Sequence, residues 1–553
     1  MSAESWLNFA GLTIFVCGLS VWAHGFVHNL PTPDAAASAA AVGATSCLGV
    51  AWPGYAAWST LQHIGQQTGR RAGHGGASLL HVSWRDAALG PTLRDLWRRT
   101  GWLQLYFLAE AGFLAYYFVK RWQLQRQLPP GPPLTPAGRR VLMDRALAAC
   151  PDRRAWLSGW FQGAPVGFGQ MHAQVWRGNA EEWVAWCLFG KHLEDLSAEE
   201  GPELQELLAH AERRWQLGPF PPGYNESLRG QEMRLSLEPV RGWPRPLLLY
   251  LAVAAVNAGT ARVSRRQRGF VRKKAASADG KSVLHFWYRP ARDEGLSQPP
   301  VVLLHGIGPG ASIVAAMCDG HLRKVGLEHA AVIVPELRNI TYSLDTPKAL
   351  DARRTAAAIA QAVRQAQSDT AAASPGGAAK SDGGALVLGQ SFGTIVLTWL
   401  LRHQPEVVGC ALMLDPVVFL LHHAALCYRF LYRPCRTAQQ RFLRYFAGDE
   451  LSIQHYLRRH FVWHDNVLFL EDIPPHLAGK VCVVVGEADS FIDAPMVIQY
   501  LRGNMHGEGG PALPMLVTVE GADHGGWMAS GRAEREVLRW VQGHLHTWGG
   551  GTL

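Results

Sequence analysis

The stretch of sequence that decides the fold is Ala385-Leu386-Val387-Leu388-Gly389-Gln390-Ser391-Phe392-Gly393-Thr394. A short apolar run ends in Gly-x-Ser-x-Gly, and a helix-like run follows at once, from Ile395 to Leu401. This succession of strand, sharp turn and helix is typical of a nucleophile elbow, whose strained backbone lifts a serine hydroxyl above a sheet. Gly389 and Gly393 suit such a turn because a side chain at either position would collide with the neighbouring helix or strand. The pattern therefore predicts Ser391 as a nucleophile.

Length and composition limit the class of protein. The 553 residues predict a catalytic domain with accessory regions. Hydrophobic residues make up 48% of the chain and charged residues 18%, and the formal net charge is +9. This balance favours an anionic lipid surface as partner, and we expect no nucleic-acid partner because the sequence has no nucleic-acid-binding motif. The cysteines form no Cys-x-x-Cys pair, so we expect reduced thiols, no metal site and no cofactor.

Residues 1–128 are predicted to anchor the chain in a membrane. Apolar stretches at 6–27, 39–58 and 102–119 are candidate spans of about the required 20 residues. No Lys or Arg precedes the first, which argues against a cleavable signal, although the Ala-rich run at 35–41 keeps that alternative open. The second is equally compatible with a buried segment. The third contains Glu110, whose insertion cost of about 3 kcal/mol is close to the gain from its Leu, Phe and Val residues. We expect a membrane helix there.

A second region, residues 129–275, begins with a stiff proline-rich linker and is predicted to be helical. Its tryptophans favour core packing over a lipid-facing surface; they are Trp156, Trp160, Trp176, Trp183 and Trp186. Residues 246–258 are apolar but short for a membrane span. The basic run that follows suits either anionic headgroups or a solvated loop; it comprises Arg262, Arg265, Arg266, Arg268, Arg272, Lys273 and Lys274.

Residues 276–547 alternate strand and helix patterns. The predicted strands are Val283–Tyr288, Val301–Leu304, Ala331–Val334, Ala385–Leu388, Gly409–Leu414, Val481–Val485 and Met515–Val519. Uninterrupted apolar runs are typical of strands buried on both faces. The predicted fold class is α/β: a mostly parallel sheet with helices on both faces, preceded by membrane helices and a helical region.

Three loops carry groups that acyl transfer by Ser391 would need. A glycine-rich turn with Gly306, Ile307 and Gly308 follows a predicted strand, so the N–H of Ile307 could form an oxyanion hole with that of Phe392.

The acid and the base are predicted in two later loops. Asp489 lies just past a strand end and is the preferred acid, with Asp493 as the alternative and Glu487 as a further rival. His524 follows the last strand among small residues and is the predicted base. The order serine, aspartate, histidine is that of the α/β-hydrolases.

An insertion at about 416–479 is dense in aromatic and basic residues and is predicted to form a lid over the site. It contains His422, His423, His460 and His464, but their spacing does not indicate a metal site.

Six stretches together resemble a little-characterised group of eukaryotic membrane-associated α/β-hydrolases. They are 156–161 (WLSGWF), 305–310 (HGIGPG), 389–394 (GQSFGT), 415–421 (DPVVFLL), 430–433 (FLYR) and 459–461 (RHF). The resemblance implies a triad of Ser391, Asp489 and His524 and a lipase- or esterase-like activity. Gln390 departs from the histidine that many relatives carry before the serine, a change that other hydrolases tolerate.

The sequence therefore predicts a serine hydrolase, integral to an intracellular membrane, that cleaves carboxylic esters, with lipid acyl esters as substrates and membrane lipids as partners. Two alternatives stay open: an acyltransferase using the same triad, and a catalytically silent membrane scaffold.

Overall fold

The computed structural model describes residues 90–126, 134–150, 152–162, 174–276, 283–292, 298–308, 310–343, 349, 351–373, 383–503 and 514–548. The chain divides into two units, one of residues 1–120 with 244–252 and the other of residues 121–243 with 253–553. The predicted spans at 6–27 and 39–58 lie outside the described residues.

The described residues form fifteen α-helices, numbered in chain order. They are α1 Gly90–Gln123, α2 Pro136–Ala148, α3 Arg153–Ser158, α4 Arg177–Val184, α5 Glu200–Trp215, α6 Leu247–Gln267, α7 Ala311–Lys324, α8 Ala352–Ala373, α9 Gly393–His403, α10 Ala424–Cys427, α11 Ala438–Leu443, α12 Leu451–Arg459, α13 Trp463–Asn466, α14 Ala494–Leu501 and α15 Gly531–Trp548. Short π-helical turns continue α4, α10 and α11, at Ala185–Phe189, Tyr428–Tyr432 and Arg444–Gly448.

Helix α6 differs from its sequence-based prediction. The apolar run at 246–258 was expected to be short for a span, but the helix continues through the basic residues to Gln267. Among the described helices, α6 alone combines the length and the mean hydropathy that crossing a membrane requires. The predicted span at 102–119 is helical, within α1, but does not reach that hydropathy. The predicted set of N-terminal membrane helices is therefore not supported.

Within the first unit, Glu110 of α1 caps the start of α6. Its two carboxylate oxygens accept hydrogen bonds from the Leu247 N–H at 2.9 and 3.1 Å, and its side chain is buried. The first N–H groups of a helix have no intrahelical acceptor and carry partial positive charge, so a carboxylate is favourable there. This contact explains how an acid fits within an apolar helix.

The tryptophans of the helical region pack mostly on one another. Trp156, Trp160, Trp183 and Trp186 are buried, and the ring centroids of Trp156 and Trp183 are 5.1 Å apart. The core interpretation holds for these four, whereas Trp176 is 36% exposed.

The centre of the second unit is an eight-stranded sheet. Its strands are β1 Val271–Ala276, β2 Val283–Arg289, β3 Val301–Leu304, β4 Val332–Pro335, β5 Ala385–Gln390, β6 Val408–Leu414, β7 Val481–Gly486 and β8 Met515–Val519. Their order is β1-β2-β4-β3-β5-β6-β7-β8. Strand β2 pairs antiparallel with both β1 and β4, and β3 to β8 pair in parallel. This order confirms the predicted α/β fold with a mostly parallel sheet.

Alternate side chains of the parallel strands point to two separate apolar layers. One layer packs against α8, α9 and α14, and the other against α7 and α15. Strands covered on both faces need no polar side, which accounts for their uninterrupted apolar runs.

Strand β1 was not predicted, because its basic residues suited either anionic headgroups or a solvated loop. Arg272 pairs with Glu336 at 2.7 Å, and Lys273 with Asp369 at 3.5 Å. Charged side chains are common on edge strands, where they prevent a further strand from pairing. Three residues of the basic run, Arg272, Lys273 and Lys274, therefore lie in the edge strand, and Arg262, Arg265 and Arg266 belong to α6.

Candidate active site

Ser391 lies on a strained turn between β5 and α9. Its φ angle is 52°, a left-handed conformation that is rare for residues other than glycine. The turn is possible because its two glycines lack side chains. A Cβ on Gly389 would lie 2.8 Å from the Gly393 oxygen, and one on Gly393 would lie 2.1 Å from the Leu304 oxygen. The strain holds Ser391 at the carboxyl end of the sheet, at the N-terminus of α9.

A chain of hydrogen bonds joins the three residues that the sequence predicts as the catalytic triad, Ser391, His524 and Asp489. His524 Nε2 lies 2.9 Å from Ser391 Oγ, and His524 Nδ1 lies 2.7 Å from Asp489 Oδ2. The residues come from the ends of β5 and β7 and from the loop after β8, so the sheet brings together side chains that are more than 30 positions apart in sequence. The arrangement can pass a proton from the serine to the imidazole.

The Asp489 carboxylate is fixed from its other side. Oδ1 accepts hydrogen bonds from the N–H groups of Phe491 at 2.8 Å and Ile492 at 3.1 Å. The alternative acid Asp493 is used elsewhere, because it caps α14 by accepting the Met496 N–H at 3.3 Å. Of these two acids, the structure therefore brings Asp489 to His524.

His524 is poised to take up a proton. Burial would lower the pKa of its imidazole, but the hydrogen bond and the charge of Asp489, together with the charges of Asp415 and Asp523, outweigh burial and raise that pKa above 6.5. The imidazolium that forms during proton transfer is stabilised by the same carboxylates.

Asp415 is a residue of this site that sequence reasoning did not assign. It follows β6, is fully buried, and accepts the Gly525 N–H on Oδ2 at 2.7 Å. Burial raises the pKa of the Asp415 carboxyl to about 6, against the opposing effects of His524 and the Gly525 N–H. The available signal was its position: an acid directly after an apolar strand, at the same sheet edge as Ser391.

The predicted oxyanion-hole residues, Ile307 and Phe392, both line the cavity at Ser391. Within the described part of the chain, neither backbone N–H has a hydrogen-bond acceptor. Both are thus available to a substrate oxygen, and the Phe392 N–H is at the N-terminus of α9, where partial positive charge favours an anion.

His305 supports the loop that carries Ile307. The Leu337 N–H donates to His305 Nε2 at 3.3 Å, so Nδ1 carries the proton and donates to the Gly306 oxygen at 2.9 Å. Burial lowers the pKa of His305, which keeps this neutral tautomer. Gly306 approaches closely, since a Cβ there would lie 3.1 Å from the Ser391 Cβ, and Gly308 has a φ of 107°.

A cavity of about 800 Å³ opens from Ser391 and His524. Ligand sites commonly measure about 300–1,000 Å³, so this one is large. Its walls come from the helical region and the lid and are mostly apolar; they include Trp160, Trp186, Leu188, Phe189, Leu421, Leu426, Phe430 and Leu431. Charged side chains also line it: Arg139, Lys191, Glu200, Arg458 and Arg459. Gln390 lies beside Ser391 in the same wall.

Comparison with known proteins gives distant structural likenesses. No family model and no curated protein matches the sequence. A membrane phospholipase A described as a bacterial virulence factor is 15% identical, with 54% of this chain and 94% of that chain covered and a TM-score of 0.32. Carboxylesterase CesB of Bacillus subtilis is 13% identical, with 54% of this chain and 99% of that chain covered and a TM-score of 0.34. The esterase Pf2001 of Pyrococcus furiosus is 15% identical, with 51% of this chain and 93% of that chain covered and a TM-score of 0.33. Each TM-score is below 0.5, so the fold rests on the strand order and the site on its own distances.

Proposed function

We propose that this protein is a membrane-associated serine hydrolase that cleaves carboxylic esters, with lipid acyl esters as its substrates. The observation that carries the proposal is the continuous hydrogen-bonded chain from Asp489 through His524 to Ser391, which ends at a large apolar cavity. A serine alone is a weak nucleophile, and an adjacent base oriented by an acid is the arrangement that activates it.

The reaction follows from this geometry. Ser391 Oγ attacks the ester carbonyl carbon while His524 Nε2 takes the hydroxyl proton, and the N–H groups of Ile307 and Phe392 bind the resulting oxyanion. The tetrahedral intermediate collapses, and His524 gives its proton to the departing alcohol, which leaves an acyl-enzyme. Water then attacks the acyl carbon, with His524 again as the base, and releases the carboxylic acid and free Ser391.

Two features support a lipid substrate and a membrane location. The cavity walls are mostly apolar, and burial of each methylene contributes about 0.8 kcal/mol, so a long acyl chain would bind well there. Helix α6 has the length and hydropathy of a membrane span, and it is 11% buried over its most apolar window. An integral position in an intracellular membrane remains part of the proposal.

The first test is labelling of the detergent-solubilised protein with a fluorophosphonate. We expect the wild type and a Ser227→Ala control to be labelled, since Ser227 is exposed and does not line the cavity. Labelling should disappear in Ser391→Ala and fall by orders of magnitude in His524→Ala. Folded wild-type protein that takes no label would contradict the proposal and favour a silent scaffold. Cleavage of short soluble esters but not of lipids in bilayers would contradict the lipid substrate alone.

A further inference from the structure

We propose that Cys150, His422 and His423 form a binding site for a thiophilic d¹⁰ metal ion, Zn²⁺ or Cu⁺, which joins the helical region to the first segment of the lid. Cys150 follows α2, whereas the two histidines directly precede α10. The inference is independent of the proposed hydrolase activity, because none of the three residues contacts Ser391 or lines its cavity.

The three side chains converge in the fold although 272 positions separate Cys150 from His422. Cys150 Sγ lies 3.4 Å from His423 Nε2 and 3.7 Å from His422 Nε2. The three ligand atoms lie within 4.8 Å of one another. Cys150 and His422 are 2% and 3% exposed, and His423 is partly exposed.

These distances are close to those of a metal centre. With Zn–S near 2.3 Å and Zn–N near 2.0–2.1 Å, tetrahedral ligands lie about 3.6 Å apart for sulfur to nitrogen and about 3.4 Å apart for nitrogen to nitrogen. Both sulfur-to-nitrogen distances therefore already fit. The two nitrogens lie within 4.8 Å of each other, so ion binding requires them to approach by up to about 1.4 Å, and the partly exposed His423 ring is the one with room to move.

The donor set determines which ions the site would select. One thiolate and two imidazoles suit Zn²⁺ and Cu⁺, whereas Mg²⁺ and Ca²⁺ require oxygen ligands. A buried thiolate also needs a nearby positive charge, which the ion would provide. Cu⁺ would make the three-ligand centre neutral, and Zn²⁺ would retain one positive charge and take water as a fourth ligand.

Hydrogen bonding within the protein uses only part of the bonding capacity of these three side chains. The single thiol hydrogen of Cys150 can reach the Ala146 oxygen, 3.1 Å from Sγ, and His422 also hydrogen-bonds Ala146, so a bound ion would replace these contacts. Nδ1 of His422 is buried and has no partner among the described residues.

The surroundings hold His422 in position. Trp156 Nε1 donates to the His422 oxygen at 2.8 Å, and the Phe469 ring stacks on the imidazole with centroids 5.7 Å apart. Such supporting contacts orient metal ligands in known sites. Because Leu421 and Leu426 on either side of the histidines line the cavity, a bound ion would fix the adjoining wall of the lid.

The test is the metal content of full-length protein, purified in detergent under reducing conditions and dialysed against Zn²⁺ or, separately, Cu⁺. We expect about one equivalent of Zn²⁺ or of Cu⁺ per chain in the wild type. Cys150→Ser and His423→Gln should bind at least about tenfold more weakly. Cys318→Ser is the matched control, because Cys318 is also a buried free thiol but lies outside the group. With Co²⁺, the wild type should give a thiolate charge-transfer band that Cys150→Ser lacks.

Thermal unfolding gives a second readout. The ion should raise the melting temperature of the wild type and of Cys318→Ser, and leave that of His423→Gln unchanged. His423→Gln keeps the test decisive if Cys150→Ser does not fold, because His423 is the partly exposed member. A wild type that binds neither ion, or variants that bind as the wild type does, would overturn the proposal.

Discussion

The Gly525 N–H donates a hydrogen bond to Asp415 Oδ2 at 2.7 Å, which ties the loop of His524 to the end of β6. Asp415 has a positive φ of 46° and is fully buried. Asp415 acts on His524 in two ways. Its charge helps to raise the pKa of the imidazole, and its hydrogen bond to Gly525 holds the loop that carries His524. We therefore interpret Asp415 as a positioning residue.

The charge of Asp415 predicts a specific pH effect. Hydrolysis requires neutral His524, so activity should fall as the pH falls through the raised pKa of that imidazole. Asp415 contributes to raising that pKa, so Asp415→Asn should move the acidic limb of kcat/KM to lower pH. The profile would be measured with a soluble ester. Glu226→Gln, at an exposed turn, serves as the control, and a limb that stays in place or moves upward would refute the interpretation.

The two candidate acids should behave differently. Asp489→Asn should lower kcat by about 10⁴, because the imidazole loses the acceptor that holds its correct tautomer. Asp493→Asn should retain nearly all activity, since asparagine caps a helix as well as aspartate does and Asp493 caps α14. Steady-state kinetics on both variants decide the matter. Equal losses in the two variants, or a larger loss at Asp493, would reverse the assignment.

Gly306 is expected to matter for activity more than for stability. An alanine Cβ would lie 3.1 Å from the Ser391 Cβ, so the neighbouring groups must shift by a few tenths of an ångström. We expect kcat to fall roughly tenfold to a hundredfold in Gly306→Ala, because small misplacements of reacting groups are costly.

The matched control for this substitution is Gly320→Ala in α7, where an added Cβ meets nothing within 4 Å. It should leave activity unchanged and stabilise the fold by about 0.4–1 kcal/mol. Kinetics and thermal unfolding of both variants separate the two effects. Unchanged activity in Gly306→Ala would show that the close approach is unimportant.

The size of the cavity should set the preferred acyl length. If added methylenes are buried along its walls, kcat/KM should rise by up to roughly fourfold per methylene until the cavity is filled. Leu426→Trp should shorten the preferred chain by filling part of the wall. Met317→Trp, at a 57% exposed position of α7, should have no effect. A series of esters that differ only in acyl length measures the preference of both variants. An unaltered preference in Leu426→Trp would show that the acyl chain does not bind along the wall that contains Leu426.

Helix α6 should contact lipid. Leu248 and Leu251 are 60% and 54% exposed, and burial of such side chains in hydrocarbon is favourable. In vesicles, a lipid-soluble photoreactive probe should label peptide 247–267 far more than peptide 136–148, which has the exposed Val141 but is not of span-like hydropathy. Leu248→Asp should reduce that labelling. Equal labelling of the two peptides would place α6 outside the bilayer.

The accuracy of the sequence-based predictions followed the kind of signal that each element carries. The parallel strands were predictable because strands covered on both faces are continuously apolar. Strand β1 was missed because its basic residues give no apolar signal; in the edge strand, Arg272 and Lys273 form ion pairs with Glu336 and Asp369. The end of α6 was placed too early, because a helix can continue past its apolar residues when basic side chains face solvent.

The sequence by itself determined the order of the elements and the loops that carry chemistry, since hydrophobic periodicity and the glycine spacing at Ser391 are local properties. Only the tertiary structure decided which acid faces His524, because Asp489 and Asp493 are four positions apart and differ in the groups they meet. It also decided the roles of Asp415 and of Cys150 with His422 and His423. Those groupings depend on contacts between distant segments, and no local pattern encodes a contact across 272 positions.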